Sequence, residues 1–351
     1  MTRLRDLGIG IGRFVPGEKN AITDVIGVGV GHVGVEGDGL YTGITAVLPY
    51  PVQTEKRRLC VGRWALDGGE GMTGLGVAED FGTLSSPILL TPSPAVGRVY
   101  DGLIQHGLQR DSGLSTVAGW PPLVLGVEPG VWNSARQVYE TVGEAELTRA
   151  LETAMGGVVE EGNAGIGRGL SGFGLKGGVG TASRLVGDRR VGVLVAVGGG
   201  EGGELRVDGC PIAQWLDIDL PEGERDGSFA AVVATDAPLL PHQLDNLAGR
   251  MALGLSRVGL LDAATREGVA LAFSTATIES PAEGSALERT QMVGEELERE
   301  LHVGAAEAVE ESVLNALLAA APVDGREPMF ETLPSAGWPA EVRRFQQERG
   351  T

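Results

Sequence analysis

The sequence has very little cysteine and histidine. Cys60 and Cys210 are the only cysteines among 351 residues, and there are four histidines. None of these residues shows the CxxC or Cys/His spacing of a zinc site. Two distant cysteines also define no disulfide framework. We therefore expect no metal and no other cofactor.

Basic residues and long apolar runs are scarce as well. Lys and Arg total 28 against 47 Asp and Glu, which gives a formal net charge of −19. Nucleic-acid binding and adhesion to anionic membranes both need basic surface, so both are disfavoured. No apolar run approaches the length that spans a bilayer, and the first residues lack the apolar core of a signal peptide. We expect a cytoplasmic protein with no nucleic-acid or membrane partner.

The acidic residues are concentrated near the C-terminal end of the chain. The cluster consists of Glu295, Glu296, Glu298, Glu300, Glu307, Glu310 and Glu311. Such a charge run is usually one solvated face of a helix, and that is the expectation here. A patch that attracts cations is the alternative.

Glycine is abundant, with 57 residues and no collagen-like period, so tight turns and close backbone approaches are expected. Residues 26–33 alternate as a half-buried strand does. Residues 190–197 and 228–234 are nearly continuous apolar runs, which are typical of strands covered on both faces. Helices are predicted over about 96–107, after Asn133, and over the region of Val309 to Leu318.

One further helix is predicted after Pro241, a residue that suits the first helical position. Its apolar positions are Leu244, Leu247, Met251, Leu255 and Val258, spaced as one face of a continuous amphipathic helix. The tail after Pro322 is predicted to be a loop. Residues 217–226 are polar and contain a proline, which predicts an exposed linker that ends at Gly227 and Ser228.

Two common kinds of site are absent from the sequence. Residues 165–170 do not match GxGxxG, and Lys176 is followed by glycines where a phosphate loop needs Ser or Thr, so these segments are expected to pack against backbone. A serine–histidine–acid triad needs a suitable histidine. The candidates are His32, His106, His242 and His302, each of which is expected to be structural. No GxSxG motif occurs either.

Gly227 and Ser228 offer different chemistry, because an exposed linker stops where a buried strand begins. If the bond between them breaks, Ser228 becomes a chain terminus whose own α-amine, with a pKa near 8, can act as the base. No histidine is then needed. The glycine permits the strained backbone that attack on its own carbonyl requires.

Longer motifs resemble the L-aminopeptidase/D-esterase family, which includes the β-peptidyl aminopeptidases. One of them is GFGLKGGVGTASR at residues 172–184, and together the motifs are highly specific. The matching segments, in order, are residues 5–9, 20–32, 161–167, 172–184, 226–228, 232–244 and 272–275.

The resemblance implies a single α/β domain over residues 1–351, folded as a four-layer αββα sandwich. It implies self-cleavage between Gly227 and Ser228 into residues 1–227 and 228–351. It also implies a homo-oligomer, a tetramer in this family, that releases N-terminal residues from small peptides, amides or esters. Ornithine acetyltransferase is similar in fold but uses a threonine, and Ser228 argues against that relative.

Several positions depart from the family pattern. The asparagine that helps to bind the oxyanion is replaced by Gly198. The segment with the substrate-contacting aromatic becomes residues 127–133, where Glu128-Pro129 leaves the aromatic lost or displaced. The Ser-Gly-acid motif before the final strand is matched most nearly by Thr265 to Glu267.

In the expected mechanism, Ser228 is nucleophile and, through its α-amine, base. Glu267, in the motif that begins at Thr265, would orient this amine, and Asn163 would stabilise the oxyanion. The simpler alternatives are a surface carboxylate for Glu267 and a loop amide for Asn163. Two other functions stay open: a catalytically lapsed paralogue with a binding role, and acyl transfer to an amine acceptor.

Overall fold

The computed structural model describes residues 2–50, 58–67, 73–110, 122–216, 218, 227–260, 265–279, 292–326 and 328–349. At residues 58, 77, 265, 266 and 277–279 the description covers the backbone alone. The predicted linker at 217–226 lies outside the described residues apart from Ile218. Every structural statement below concerns this described part of the chain.

Two main sheets contain most of the described strands, while two short strand pairs form small separate sheets. In chain order the strands are β1 (Gly29–Gly37), β2 (Leu40–Leu48), β3 (Arg58–Leu66), β4 (Thr83–Leu84), β5 (Ile88–Pro92), β6 (Leu123–Val127), β7 (Ser171–Gly172), β8 (Leu175–Lys176), β9 (Gly178–Val186), β10 (Arg189–Val197), β11 (Arg206–Val207), β12 (Cys210–Pro211), β13 (Gly227–Thr235) and β14 (Thr265–Glu279). One main sheet has the order β1-β2-β5-β6 and the other β4-β3-β14-β13-β10-β9, while the pairs β7–β8 and β11–β12 form the small separate sheets. The pairs β5–β6 and β13–β14 are parallel.

The helices flank these sheets. They are α1 (Leu75–Phe81), α2 (Val96–Arg110), α3 (Ala135–Thr141), α4 (Glu144–Thr153), α5 (Pro241–Ala248), α6 (Arg250–Arg257), α7 (Glu295–Ala319) and α8 (Trp338–Arg349). Short 3-10 helices are Leu4–Leu7, Ile22–Asp24, Ser93–Ala95, Gly165–Gly169, Gly202–Glu204 and Ala213–Trp215.

The elements stack in four layers. Apolar side chains of the two sheets meet in one buried cluster, with Val47 and Leu90 on one side and Leu194, Val232 and Phe273 on the other. On the outer side of the four-stranded sheet, α2 and α4 pack against its strands. On the outer side of the six-stranded sheet, α5 and α7 pack against β3, β14, β9 and β10. The expected four-layer αββα sandwich is confirmed.

The strand predicted at 26–33 begins at Gly29 and differs from the prediction in its burial. Val30 faces the other sheet, while Val33 and Val35 face the helices. A side chain at Gly31 would lie within 3 Å of the Ala150 carbonyl oxygen and the Ala154 backbone in and after α4. The strand is therefore covered on both faces at its start, because glycine lets the helix approach closely.

The acidic cluster is only partly the solvated face that was predicted. Glu295 and Glu296 are exposed, but Glu307, Glu310 and Glu311 are buried in α7. Their partners come from distant parts of the chain. Arg5 binds Glu311 through two hydrogen bonds of 2.8 and 2.9 Å, and the fully buried Arg184 lies 2.7 Å from Glu311 and 3.4 Å from Glu307. Arg257 pairs with Glu310.

These cations explain why carboxylates lie inside the protein. Burial alone raises the pKa of Glu311, but Arg184 and Arg5 together hold it below its ordinary value. Backbone N–H groups of Arg13 and Phe14 also donate to Glu307. The solvated-face prediction failed here because the sequence does not show that the N-terminal segment folds back across α7.

Two further predictions need correction. The tail after Pro322 is not entirely a loop, since α8 forms over Trp338–Arg349 and buries Trp338 and Val342 in the core. The amphipathic segment after Pro241 forms two helices, α5 and α6, which meet at Gly249. The helices predicted over 96–107 and around Val309–Leu318 are confirmed and extend further than predicted.

Candidate active site

Gly227 and Ser228 begin β13, at the centre of the six-stranded sheet. Ser228 is 4% exposed. The strand pairs with β14 from Gly227, and from Phe229 it also pairs with β10. The pairing with β14 is irregular between Gly227 and Ser228. The predicted cleavage point therefore lies where a regular, buried strand starts.

Glycine is required at residue 227 by the neighbouring backbone. A side chain there would place its Cβ less than 3 Å from the Gly199 nitrogen and Cα and from the Gly198 carbonyl carbon. Such distances are essentially never found between real Cβ atoms and backbone. The carbonyl predicted to be attacked is thus held against the turn that follows β10.

Two backbone segments contact Ser228, one that follows β6 and one that follows β10. The Glu128 arm comprises residues 128–133, after β6, and the glycine arm comprises residues 198–200, after β10. The Glu128 N–H donates to Ser228 Oγ over 2.8 Å. The Gly198 N–H donates to the Ser228 carbonyl oxygen over 3.0 Å. The hydrogen bond from the Glu128 N–H fixes the position of the Ser228 hydroxyl oxygen at the start of the strand.

Glu267 and Thr265 lie on β14, the strand next to Ser228. In the parallel register Ser228 is opposite Glu267 and Gly227 is opposite Thr265. Glu267 is half-buried. The side chain of Thr265 lies outside the described part of the structure. The register thus brings the predicted carboxylate residue beside the predicted new chain terminus.

Asn163 lies between the end of α7 and the aromatic ring of Tyr41. Its Nδ2 donates to the Ala321 carbonyl over 3.0 Å, and its Oδ1 accepts from the Ala321 N–H over 3.1 Å. A longer contact of 3.5 Å joins Nδ2 to the Tyr41 hydroxyl. Among the described residues it makes no hydrogen bond to Ser228. Its oxyanion role stays a prediction.

Gly198 stands where the family pattern has asparagine, and there is room for a side chain. A Cβ at this position would lie 3.4 Å from the Ser171 carbonyl oxygen and 3.6 Å from that of Ser228. Both distances are ordinary van der Waals contacts. The glycine is therefore not demanded by packing, in contrast to Gly227.

No histidine hydrogen-bonds to Ser228 within the described residues. His32 Nδ1 lies 3.0 Å from the Thr45 hydroxyl, and burial lowers the pKa of this histidine to about 4. His302 lies 3.6 Å from Glu298, and burial lowers its pKa as well. His242 is exposed on α5. The geometry gives no support to a histidine-based triad.

Comparison with known proteins assigns the family. The sequence profile of Peptidase family S58 matches residues 20–329. The chain belongs to this family. The S58 protein is 34% identical to beta-peptidyl aminopeptidase BapA of Sphingosinicella microcystinivorans, over 98% of this chain and 93% of that protein. It is also 34% identical to BapA of Sphingosinicella xenopeptidilytica, over 92% and 86%.

Solved structures agree with this assignment. A beta-aminopeptidase from a Burkholderia species matches the S58 chain with a TM-score of 0.88 and 36% identity, over 98% of this chain and 99% of that one. The L-aminopeptidase D-Ala-esterase/amidase of Ochrobactrum anthropi, described as a variant of the Ntn hydrolase fold, matches with a TM-score of 0.88 and 30% identity, over 100% and 99%. The family resemblance seen in the sequence is confirmed, and the S58 chain is a hydrolase of the N-terminal-nucleophile aminopeptidase and amidase type.

The S58 site contains an aromatic cluster that the sequence did not reveal. Trp132 packs edge-on against Tyr41 at 5.7 Å and against Phe330 at 5.4 Å, measured between ring centroids. Arg168 and Arg326 each lie 4.8 Å from the Tyr41 ring centroid. The aromatic on the Glu128 arm is therefore present as Trp132. Its partners come from residues 41 and 330, and no sequence spacing links them.

The glycine-rich segments pack against backbone, as predicted. A side chain at Gly169 would come within 3 Å of the Pro129 carbonyl oxygen and of Asn133 Nδ2. Among the described residues no group of three or more His, Cys, Asp or Glu side chains is arranged to hold a metal ion. Within the same part of the chain, no helix is both long and apolar enough to cross a bilayer.

Proposed function

We propose that this S58 protein cleaves its own chain between Gly227 and Ser228 and then uses Ser228 as the nucleophile of an aminopeptidase. The observation that carries the proposal is the 2.8 Å hydrogen bond from the Glu128 N–H to Ser228 Oγ at the start of a buried strand. A buried hydroxyl beside a fixed backbone donor and a tightly confined glycine carbonyl has the parts that the reaction needs.

In the self-cleavage step, Ser228 Oγ attacks the Gly227 carbonyl carbon and the Gly227–Ser228 peptide bond breaks. The acyl group moves from nitrogen to oxygen, which leaves an ester and a free α-amine on Ser228. Water then hydrolyses the ester and releases the carboxylate of Gly227. The contact between Gly227 and the glycine arm supports this step, because it restricts where the carbonyl can lie.

During turnover, the neutral α-amine of Ser228 accepts the Oγ proton as the hydroxyl attacks the substrate acyl carbon. The leaving amine or alcohol takes this proton, and water later releases the acyl group from the ester. The Glu128 N–H would hold Ser228 Oγ in position, and Asn163 is the side-chain candidate for stabilising the oxyanion on the substrate carbonyl. Glu267, opposite Ser228 in the register, would hold the α-amine in place.

The substrate is proposed to be a small peptide, amide or ester with a free N-terminus. The relatives named beta-peptidyl aminopeptidase and beta-aminopeptidase support peptides that begin with a β-amino acid as one class to test. The relative named L-aminopeptidase D-Ala-esterase/amidase supports α-aminoacyl amides and esters as another. Hydrolysis of a matched pair, β-alanyl and L-alanyl p-nitroanilide, distinguishes the two classes.

We also propose a homo-oligomer, a tetramer, in the cytoplasm. The exposed apolar side chains of Ile26, Met155 and Val158, with 71%, 67% and 89% of their surface accessible, support association. Sedimentation equilibrium and cell fractionation test the two statements separately.

Intact-mass measurement of purified protein tests the central proposal. We expect two fragments, residues 1–227 and 228–351, that elute together under native conditions. Ser228→Ala should stay a single chain and hydrolyse no substrate. Ser312→Ala is the matched control, because Ser312 is equally buried and donates only within α7, to the Ala308 carbonyl. A wild-type chain that remains at 36.4 kDa after prolonged incubation favours the lapsed paralogue instead.

A further inference from the structure

Lys176 is a buried cation that the proposed mechanism does not use. Its side chain has no exposed surface. Its Nζ donates to the carbonyl oxygens of Gly167, Leu170 and Gly177 over 3.1, 2.8 and 2.7 Å. The ammonium group has three N–H donors, and each has one acceptor. Among the described residues Lys176 has no ion pair, although a buried charge is costly unless it is well compensated.

The backbone that Lys176 binds lies against the Glu128 arm. Gly169, between two of the bound carbonyls, is so close that a side chain there would meet the Pro129 carbonyl oxygen. A side chain at Gly130 would in turn meet the Gly169 carbonyl oxygen. Nζ is also 5.9 Å from the centroid of the Trp132 ring, within the range of a cation–π contact. The Glu128 arm therefore rests on a surface that Lys176 holds in shape.

The same loop also holds the glycine arm. Ser171 follows directly after Leu170, and its carbonyl accepts the Gly199 N–H over 3.0 Å. The Phe173 N–H donates back to the Gly199 carbonyl over 2.9 Å. Gly177 closes the loop with a 3.0 Å bond from its N–H to the Leu170 carbonyl. Lys176 is thus connected, through one tight loop, to both segments that contact Ser228.

We propose that Lys176, in its protonated form, is a positioning residue that fixes the Glu128 arm and the glycine arm on either side of the reaction. This inference rests on the proposed role of Ser228. Lys176 touches neither Ser228 nor the bond to be cut, and acts through the carbonyls that it binds. Its charge matters because a neutral amine has only two N–H groups, so deprotonation removes one of the three hydrogen bonds by which Lys176 holds the loop.

The protonation of Lys176 lies within an experimentally accessible pH range. Burial, with a smaller effect of Arg168, lowers the pKa of Lys176 to about 7. Arg168 is itself 3.2 Å from Glu36, and Glu331 meets the Lys176 N–H only through its backbone carbonyl. The positioning is complete when Lys176 is charged and is lost as pH rises. The rate of self-cleavage and kcat should therefore both fall as the pH rises through the pKa of Lys176, so each pH profile should have an alkaline limb.

The test compares Lys176→Met, Lys176→Arg and the control Lys19→Met, whose lysine is partly exposed and pairs with Asp24. Self-cleavage is followed by intact mass and hydrolysis by kcat and KM, each from pH 6 to about 10, the upper end being near the ordinary pKa of lysine. For Lys176→Met we expect both rates to fall about 10–100-fold with no alkaline limb and little change in KM. Lys176→Arg should recover part of the rate and also lack the limb, because its guanidinium does not titrate. Lys19→Met should match wild type.

A wild-type rate in Lys176→Met, or a wild-type alkaline limb in either Lys176 variant, overturns the proposal. If Lys176→Met does not fold, Lys176→Arg decides by the presence or absence of the limb. If the wild-type chain neither cleaves nor hydrolyses, the proposed function fails, and the positioning role is judged by amide hydrogen exchange at one pH. Faster exchange over residues 123–133 and 193–200 in the Lys176 variants supports the proposal, and unchanged exchange overturns it.

Discussion

The Glu128 arm and the glycine arm both contact Ser228, yet different interactions hold them. Side chains fix the Glu128 arm: Asn133 bonds to both backbone groups of Tyr41 and to the Pro129 carbonyl, and Trp132 donates to the Pro328 carbonyl over 2.9 Å. The glycine arm has no side chains, and backbone bonds to Ser171, Phe173 and Ser228 hold it. The Glu128 arm can be loosened by truncating a side chain, whereas the contact of the glycine arm with Gly227 is sensitive to an atom added at residue 227.

The largest expected effect comes from adding one atom opposite the glycine arm. In Gly227→Ala the new Cβ meets the backbone of Gly198 and Gly199, which cannot yield as a flexible side chain would. Self-cleavage should slow by about 100-fold or more, because overpacking displaces the carbonyl to be attacked. Intact mass against time measures the rate. Gly203→Ala is the control, since nothing lies within 4 Å of its Cβ, and equal rates in the two variants would contradict the confinement of Gly227.

A smaller loss of self-cleavage and hydrolysis is expected when the Asn133 side chain that holds the Glu128 arm is removed. Asn133→Ala deletes three hydrogen bonds that fix this arm, so the Glu128 N–H should lose its alignment with Ser228 Oγ. We expect self-cleavage and kcat to fall about 30-fold, with KM less affected. Asn246→Ala, at an exposed position of α5, should leave both unchanged. If both asparagine variants behave alike, side chains do not control this arm.

The glycine arm has room for a side-chain donor at Gly198. In Gly198→Asn the new Cβ has space beside Ser171 and Ser228, and the side chain restores the residue of the family pattern. We expect a gain in kcat of about tenfold, below the usual effect of a full oxyanion donor. Gly198→Ala adds the Cβ without the amide and should show no gain. A loss of activity in both variants would mean that the arm tolerates no side chain.

The smallest expected effect concerns pH. In the proposed mechanism, activity requires the neutral α-amine of Ser228, and the ordinary pKa of an α-amine is about 7.7–8.0. A carboxylate beside this amine raises its pKa, so Glu267→Gln should move the acidic limb of kcat/KM down by about one pH unit or less. Variants of His32 should not move it, because burial already lowers that pKa to about 4. An unmoved limb in Glu267→Gln would remove Glu267 from the site and leave Ser228 in place.

Sequence reasoning succeeded where the signal is local. The apolar runs at 190–197 and 228–234 became buried strands, and the glycine before Ser228 proved to be sterically necessary. It failed where partners come from far along the chain. Glu307 and Glu311 look solvated until Arg5 and Arg184 are placed beside them. The cluster of Tyr41 with Trp132 and Phe330 is likewise a product of topology.

The position of β13 and β14 sets an order of events. Residues 228–351 supply these two central strands and α7, while β3 and β10 on either side belong to residues 1–227. Neither part can complete the sheet without the other, and Gly227 meets the glycine arm at the point where β13 enters this sheet. Under the proposed mechanism the chain therefore has to fold before it is cut, and a misfolded chain would not free the α-amine of Ser228. After the proposed cut, the strand pairs and the ion pairs of Arg5 and Arg184 with Glu311 of α7 would hold the two pieces together.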